Sequence, residues 1–139
     1  MKIYVAGASD ETQIVRVKRW SANLTKAGWQ VVSTWIENIG AVGSANPRDA
    51  SQQARLRWAA TCLSEVRQAD AFWFLVPPPV ATSGAWVELA TAYESSLTIV
   101  CSGDTKRSIF TALGHEEEYD EDAFRWLQAA FDVSPRSRR

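Results

Sequence analysis

The segment Thr82-Ser83-Gly84-Ala85-Trp86-Val87-Glu88-Leu89-Ala90 holds the residue types best suited to chemistry. Small polar residues and a glycine stand where a strand hands over to a helix, and a carboxylate follows one turn later. Amide N–H groups at a helix start, with the Thr82 and Ser83 hydroxyls, can hold an anion or the oxygens of a sugar. A glutamate there feels the positive end of the helix, which favours its ionised, nucleophilic form. The same residues also fit a plainer reading, with Ser83 as N-cap and Glu88 as a first-turn acid offsetting the dipole. A second candidate is Tyr4-Val5-Ala6-Gly7-Ala8-Ser9, where Gly7 lets the backbone approach a ligand and Ala8 and Ser9 keep the turn narrow. Many α/β domains open with such a turn, and no dinucleotide-binding glycine triplet follows. Of the seven tryptophans, Trp35 is the one expected to face a ligand, because an aromatic beside a cleft can stack a nucleobase. Trp20 and Trp126 fall on apolar helix faces.

Other reactive residues read as structural. Cys62 and Cys101 have no second Cys or His nearby in sequence, and the single histidine, His115, excludes mechanisms that need two imidazoles. We therefore expect no metal. The acids of 116–122 read as a solvated loop leading into a helix. Asp70 precedes a strand at the end away from the cleft. Arg55, Arg57 and Arg67 fit the wet face of a helix, with a phosphate partner as the other possibility.

These residues need a scaffold, and the apolar pattern supplies one. Residues 2–6 form a β-rich run. Ile14, Val17, Trp20, Leu24 and Ala27 make a helical stripe over 11–27, with Asp10 and Gln13 as a capping box and Gly28 as the stop. Residues 30–36 read as a second strand and 38–47 as a mobile loop. A long helix is expected over 49–68, burying Leu56, Ala59, Leu63 and Val66. Ala71-Phe72-Trp73-Phe74-Leu75-Val76 is apolar without alternation, as in a central parallel strand covered on both faces. It ends at Pro77-Pro78-Pro79. A helix over 84–95, a strand over 97–101 and a last helix over 121–132 complete the pattern. Alternation of strand and helix predicts a flavodoxin-like three-layer α/β sandwich with a four- to five-stranded parallel sheet. Residues 1–133 form one domain and 134–139 a flexible basic tail. In such sheets ligands sit outside the carboxyl ends of the strands, where the loops after strands 1, 2 and 3 meet.

Composition narrows the function. The chain has 139 residues, 15 basic against 16 acidic, and a net charge of −1. That balance argues against a nucleic-acid polymer as partner, since such proteins neutralise many phosphates. No stretch reaches the ~18 apolar residues of a membrane span. With no export signal in the opening residues, the expected location is the cytoplasm and the expected cysteines are reduced thiols.

The opening residues 1–9, Ala69-Asp70 before an apolar strand, and above all Thr82-x-Gly84-x-x-x-Glu88-Leu89-Ala90-x-Ala92 resemble the nucleoside 2-deoxyribosyltransferase family. That family includes the 2′-deoxynucleoside 5′-monophosphate N-glycosidases. The resemblance spans roughly residues 1–113 and implies the flavodoxin-like fold. It also implies cleavage or transfer of the N-glycosidic bond of a 2′-deoxyribonucleoside or its 5′-monophosphate, with Glu88 attacking C1′ to form a covalent glycosyl-enzyme. Tyr4, Gly7, Ala8, Ser9, Trp35, Thr82, Ser83 and Gly84 would bind this small-molecule substrate, and the resemblance implies no organic cofactor. A hydroxyl at Thr82 falls where the hydrolases carry a phosphate-binding serine and the transferases an aspartate. The family's base-contacting aspartate is replaced by Cys62, with Glu65 one turn on as a possible substitute. Asp10 stands where the nucleotide hydrolases place an arginine, and the 77–81 loop is slightly longer than the family's. The resemblance further implies a homo-oligomer, dimer or larger, with Ser108 or Thr111 reaching a neighbour's site. Two alternatives stand beside this reading: a non-catalytic nucleotide-binding module of the same fold, and a TIR-like NAD glycohydrolase that also uses a glutamate.

Overall fold

The computed structural model describes residues 1–41, 49–79 and 84–132. Its centre is the all-apolar run, β3 (Ala71–Val76), every residue of which is buried. β1 (Lys2–Ala6) and β4 (Thr98–Gly103) flank it in parallel, β2 (Gln30–Val31) pairs with β1, and β5 (His115–Glu117) pairs with β4. The sheet order is β2-β1-β3-β4-β5, all parallel, the flavodoxin-like order. The upper limit of the expected strand count is the one observed.

Registered residues share a face of a parallel sheet, which explains the layering. Tyr4 lies opposite Phe72, and Ala6 opposite Phe74. This face is covered by α3 (Gln52–Gln68) and α4 (Gly84–Glu94), with Phe74 set edge-on to Trp86 at 4.8 Å. Trp73 points the other way, against Trp20 of α1 (Glu11–Lys26), which in turn meets Phe124 of α5 (Asp120–Phe131). α2 (Trp35–Ala41) packs beside α3. No helix of the described residues is long and apolar enough to cross a membrane.

Asp10 caps α1, its Oδ1 accepting the Gln13 amide at 3.1 Å. Only half of the expected box is present, because the Gln13 side-chain oxygen accepts from Arg16 instead. Gly28 ends the turn after α1 with φ of +101°, a left-handed conformation suited to glycine.

Four expectations are corrected. The strand at 30–36 stops at Val31, because Ser33 Oγ takes the Val5 amide as acceptor and the Thr34 carbonyl accepts the Asn38 amide that starts α2. The loop expected from residue 38 is helical to Ala41; residues 42–48 lie outside the described residues. α3 buries Cys62 and Val66, whereas Leu56 and Ala59 face outward. The acidic stretch 116–122 is no simple solvated loop. It begins in β5 and ends at Asp120, whose carboxylate accepts bonds from Arg16, Ser102 and Trp20. Two 3-10 turns, Thr105–Arg107 and Ile109–Leu113, lead from β4 to β5. The expected tail at 134–139 lies outside the described residues.

Candidate active site

Glu88 projects from the second turn of α4, one turn into the helix. Helical side chains lean toward the N-terminus, and Glu88 Oε1 comes to 3.9 Å from where a Cβ on Gly84 would stand. The carboxylate therefore lies under the helix start, facing the sheet. β1 brings Tyr4 to the same spot. Its ring stacks on Phe72, with centroids 5.7 Å apart and planes 4° from parallel, and its side chain is fully buried. α3 supplies Cys62, which is buried, and Glu65 one turn on.

The Tyr4 hydroxyl lies close enough to the Glu88 carboxylate and the Cys62 thiol to influence both. Even so, the Tyr4 hydroxyl and Glu88 Oε2 are both buried without a well-aligned hydrogen-bond partner among the described residues. Buried polar groups are rarely left so, and two that converge mark a place shaped to receive a polar ligand.

Burial sets the protonation of the cluster. It pushes the Glu88 carboxyl up to about 7; the Tyr4 hydroxyl pulls the other way, and the nearby Glu65 charge adds to the rise. This corrects the expectation that the helix end would keep Glu88 readily ionised: loss of water outweighs the dipole. Burial, then the Glu88 charge, push the Cys62 thiol up to about 11. Burial and the Glu88 charge also raise the Tyr4 phenol well above its usual range. Both are neutral at physiological pH.

Glu65 does not take the part of a free acid. Its carboxylate accepts the Thr34 amide at 3.1 Å and the Thr34 hydroxyl at 3.0 and 2.8 Å. Asn38 donates in turn to the Thr34 hydroxyl, so Glu65 anchors the start of α2 to α3. This anchor was not legible in the sequence. Between α2 and α3 lies a cleft of about 390 Å³ lined in part by Asn38, Ser51, Arg57 and Trp58.

The remaining candidates are placed as follows. Gly7 is half-buried in the turn after β1. A Cβ there would stand 2.8 Å from Val17 Cγ2, so the turn is narrow because α1 packs against it. Ala8 is buried and Ser9 exposed. Trp35 is 7% exposed and its indole N–H donates to the Val5 carbonyl at 2.9 Å, so it braces the end of β1 from the core side and offers no open stacking face. Gly84 is exposed at the start of α4; Thr82 and Ser83 lie outside the described residues. Ser108 and Thr111 serve their own turn. Thr111 is fully buried and its hydroxyl donates to the Ser108 carbonyl at 2.9 Å, while Ser108 Oγ accepts the Phe110 amide. That placement removes Thr111 from reach of a neighbouring subunit. Arg107, which the sequence gave no reason to single out, donates to the carbonyls of Pro77 and Pro78 at 2.7 and 2.8 Å and holds the loop that leaves β3. Asp70 accepts the Lys2 amide at the opposite end of the sheet, as a structural residue would. Cys62 and Cys101 are both free and buried.

A five-stranded parallel sheet in this order, covered by helices, matches the flavodoxin-like fold of a 2-deoxyribosyltransferase. Among solved structures the chain is similar to a 2-deoxyribosyltransferase of Bacillus psychrosaccharolyticus, at TM-score 0.71 and 21% identity over 88% of this chain and 90% of that one. It is also similar to a conserved protein of Enterococcus faecalis V583 (TM-score 0.72, 14% identity, 94% and 98% covered). A CMP N-glycosidase of Clostridium botulinum is a third neighbour (TM-score 0.58, 11% identity, 92% and 99% covered). No protein-family model matches the sequence, and no curated protein matches it.

Proposed function

We propose that this chain cleaves or transfers the N-glycosidic bond of a 2′-deoxyribonucleoside or its 5′-monophosphate, with Glu88 as nucleophile. The observation that carries this reading is the pair of buried polar groups, Tyr4 hydroxyl and Glu88 Oε2, that meet beneath the start of α4, neither with a well-aligned hydrogen-bond partner among the described residues. Two of the similar structures are enzymes of glycosidic bonds to nucleobases by their names, a deoxyribosyltransferase and a CMP N-glycosidase, which supports the same chemistry here.

In the proposed reaction an oxygen of the ionised Glu88 carboxylate attacks C1′. The C1′–O bond forms as the C1′–N bond breaks, and the bonding pair leaves with the base. Water or a second base then attacks C1′, the glutamyl ester bond breaks, and the sugar keeps its original configuration after two inversions. Without a 2′-hydroxyl the oxocarbenium-like transition state is easier to reach, so few catalytic groups suffice. The Tyr4 hydroxyl steadies the ionised carboxylate. Substrates are small molecules, and we place the reaction in the cytoplasm, in a homo-oligomer.

The test is release of free base from a panel of deoxynucleosides and their monophosphates, followed by chromatography. Glu88→Ala should lower the rate by about 10⁴-fold or more, as loss of a covalent nucleophile does, with the fold intact by circular dichroism. Most activity surviving in that variant would remove the assignment. Binding of a nucleotide by calorimetry with no base released would favour the non-catalytic module, a reading to which Cys62, in place of an acid, lends weight.

A further inference from the structure

Departure of a nucleobase leaves an electron pair on nitrogen, and a proton must eventually meet it. In enzymes a positioned acid supplies that proton and contributes about 10²–10⁴-fold. The groups facing Glu88 can be taken element by element. β1 presents Tyr4, a phenol. α3 presents Cys62, a thiol, and Glu65, whose carboxylate is engaged by the Thr34 amide and hydroxyl. β3 presents Phe72 and Phe74, which carry no proton to give. Residues 42–48 and 80–83 contain no Asp, Glu or His. Asp49 lies beyond the N-cap of α3, with about 15 Å of helix, at 1.5 Å per residue, between Gln52 and Cys62. Among the described residues, the groups that meet Glu88 are two weak, neutral hydrogen-bond donors, Tyr4 and Cys62, and the only carboxylate that acts on it is Glu65, already engaged by Thr34.

Resting on the function proposed above, we infer that this site selects nucleobases that depart as stabilised anions, of the uracil and thymine type, and discriminates against adenine and cytosine, which leave well only when protonated. The C1′–N pair goes to the ring nitrogen of the departing base, the resulting anion is delocalised onto its carbonyl oxygens, and solvent protonates it after release. Cys62 is the specificity-determining position. Its thiol, with burial pushing it up to about 11, donates a weak hydrogen bond without transferring its proton.

The experiment compares kcat/KM, which reports the bond-breaking step, for 5-fluoro-2′-deoxyuridine, 2′-deoxyuridine, thymidine, 2′-deoxycytidine and 2′-deoxyadenosine. Each is supplied as nucleoside and as 5′-monophosphate to the full chain. The expected order falls steadily from the fluorinated uracil to thymine, whose anions are progressively less stable. A further drop of about 10²–10⁴-fold to cytosine and adenine reflects the missing acid. In Cys62→Asp the new carboxyl shares the dry surroundings of Glu88, holds its proton at neutral pH, and should recover activity on cytosine and adenine preferentially. Equal kcat/KM for deoxyadenosine or deoxycytidine and deoxyuridine in the unaltered protein would overturn the inference while leaving Glu88 in its role. No release of 5-fluorouracil from either form of that substrate would instead overturn the function on which the inference rests.

Discussion

Replacing Glu88 by glutamine should make the folded protein more stable at alkaline pH, and the size of the gain follows from the site. Folded, Glu88 holds its proton up to about 7, against 4.5 for an exposed glutamate. Between those values the folded chain binds more protons than the unfolded one, so the free energy of unfolding falls as pH rises. At 1.36 kcal/mol for each pH unit, the native protein at pH 8 carries about 3 kcal/mol of strain from ionising a carboxylate out of water. At pH 5 little of that cost has appeared, under about 1 kcal/mol by the same linkage. Glu88→Gln keeps the shape and removes the charge. Urea unfolding followed by tryptophan fluorescence, with a slope of about 2 kcal/mol per molar, should show the variant's midpoint about 1.5 M above the native one at pH 8. The two should lie much closer at pH 5. Coincident midpoints at pH 8, or a gap of the same size at both pH values, would refute the claim that Glu88 is held in a dry pocket.

Tyr4→Phe should move the acidic limb of the pH–kcat/KM profile upward from about 7, because the hydroxyl that favours the ionised Glu88 is gone. At pH 5, where Glu88 holds its proton, the variant's unfolding free energy should hold or rise, since the group removed has no well-aligned partner among the described residues. At pH 8 it should fall, because ionised Glu88 loses the hydroxyl that favours it. Asp120→Asn should lower stability at pH 7 by about 2–4 kcal/mol, as loss of one member of a largely buried ion pair does. Burial acts to raise Asp120, but bonds from Arg16 and Ser102 and the Arg16 charge hold it below 3.8. Its contribution is thus present above that pH and lost as pH falls, so denaturation curves of variant and native protein should converge in acid.

The sequence carried the fold where local signals were strong. The unbroken apolar run of β3 could only be a covered central strand, and Asp10 with Gly28 marked both ends of α1. It misled where tertiary bonds outweighed pattern. Ser33 and Thr34 read as strand residues, yet their hydroxyls are engaged with Val5 and Glu65. His115–Glu117 shows no apolar alternation and becomes β5 because β4 offers an open edge and Gly114 sits against Ile99, where a Cβ would stand 2.9 Å from the Ile99 carbonyl. Leu56, Ala59, Leu63 and Val66 suggested one face of α3; Val66 is buried as expected, but it shares the inward face with Cys62, and Leu56 and Ala59 are exposed. For the site, residue types at the start of α4 pointed to Glu88, and the family resemblance pointed to Tyr4. Their mutual burial, and so the reversal of the expected ionisation of Glu88, depends on three elements meeting and is invisible in one strand of text.

The borders of the sheet bear on how this chain meets copies of itself. β2 offers two residues and β5 three, His115-Glu116-Glu117, with a carboxylate at each of the last two. So short a margin, acidic on one side, gives an incoming strand few amide groups to zip onto and repels a like-charged twin. Ribbon-like stacking is disfavoured at both rims. Self-association would run through helix surfaces, where Leu56 of α3 and Val87 of α4 stand open to solvent.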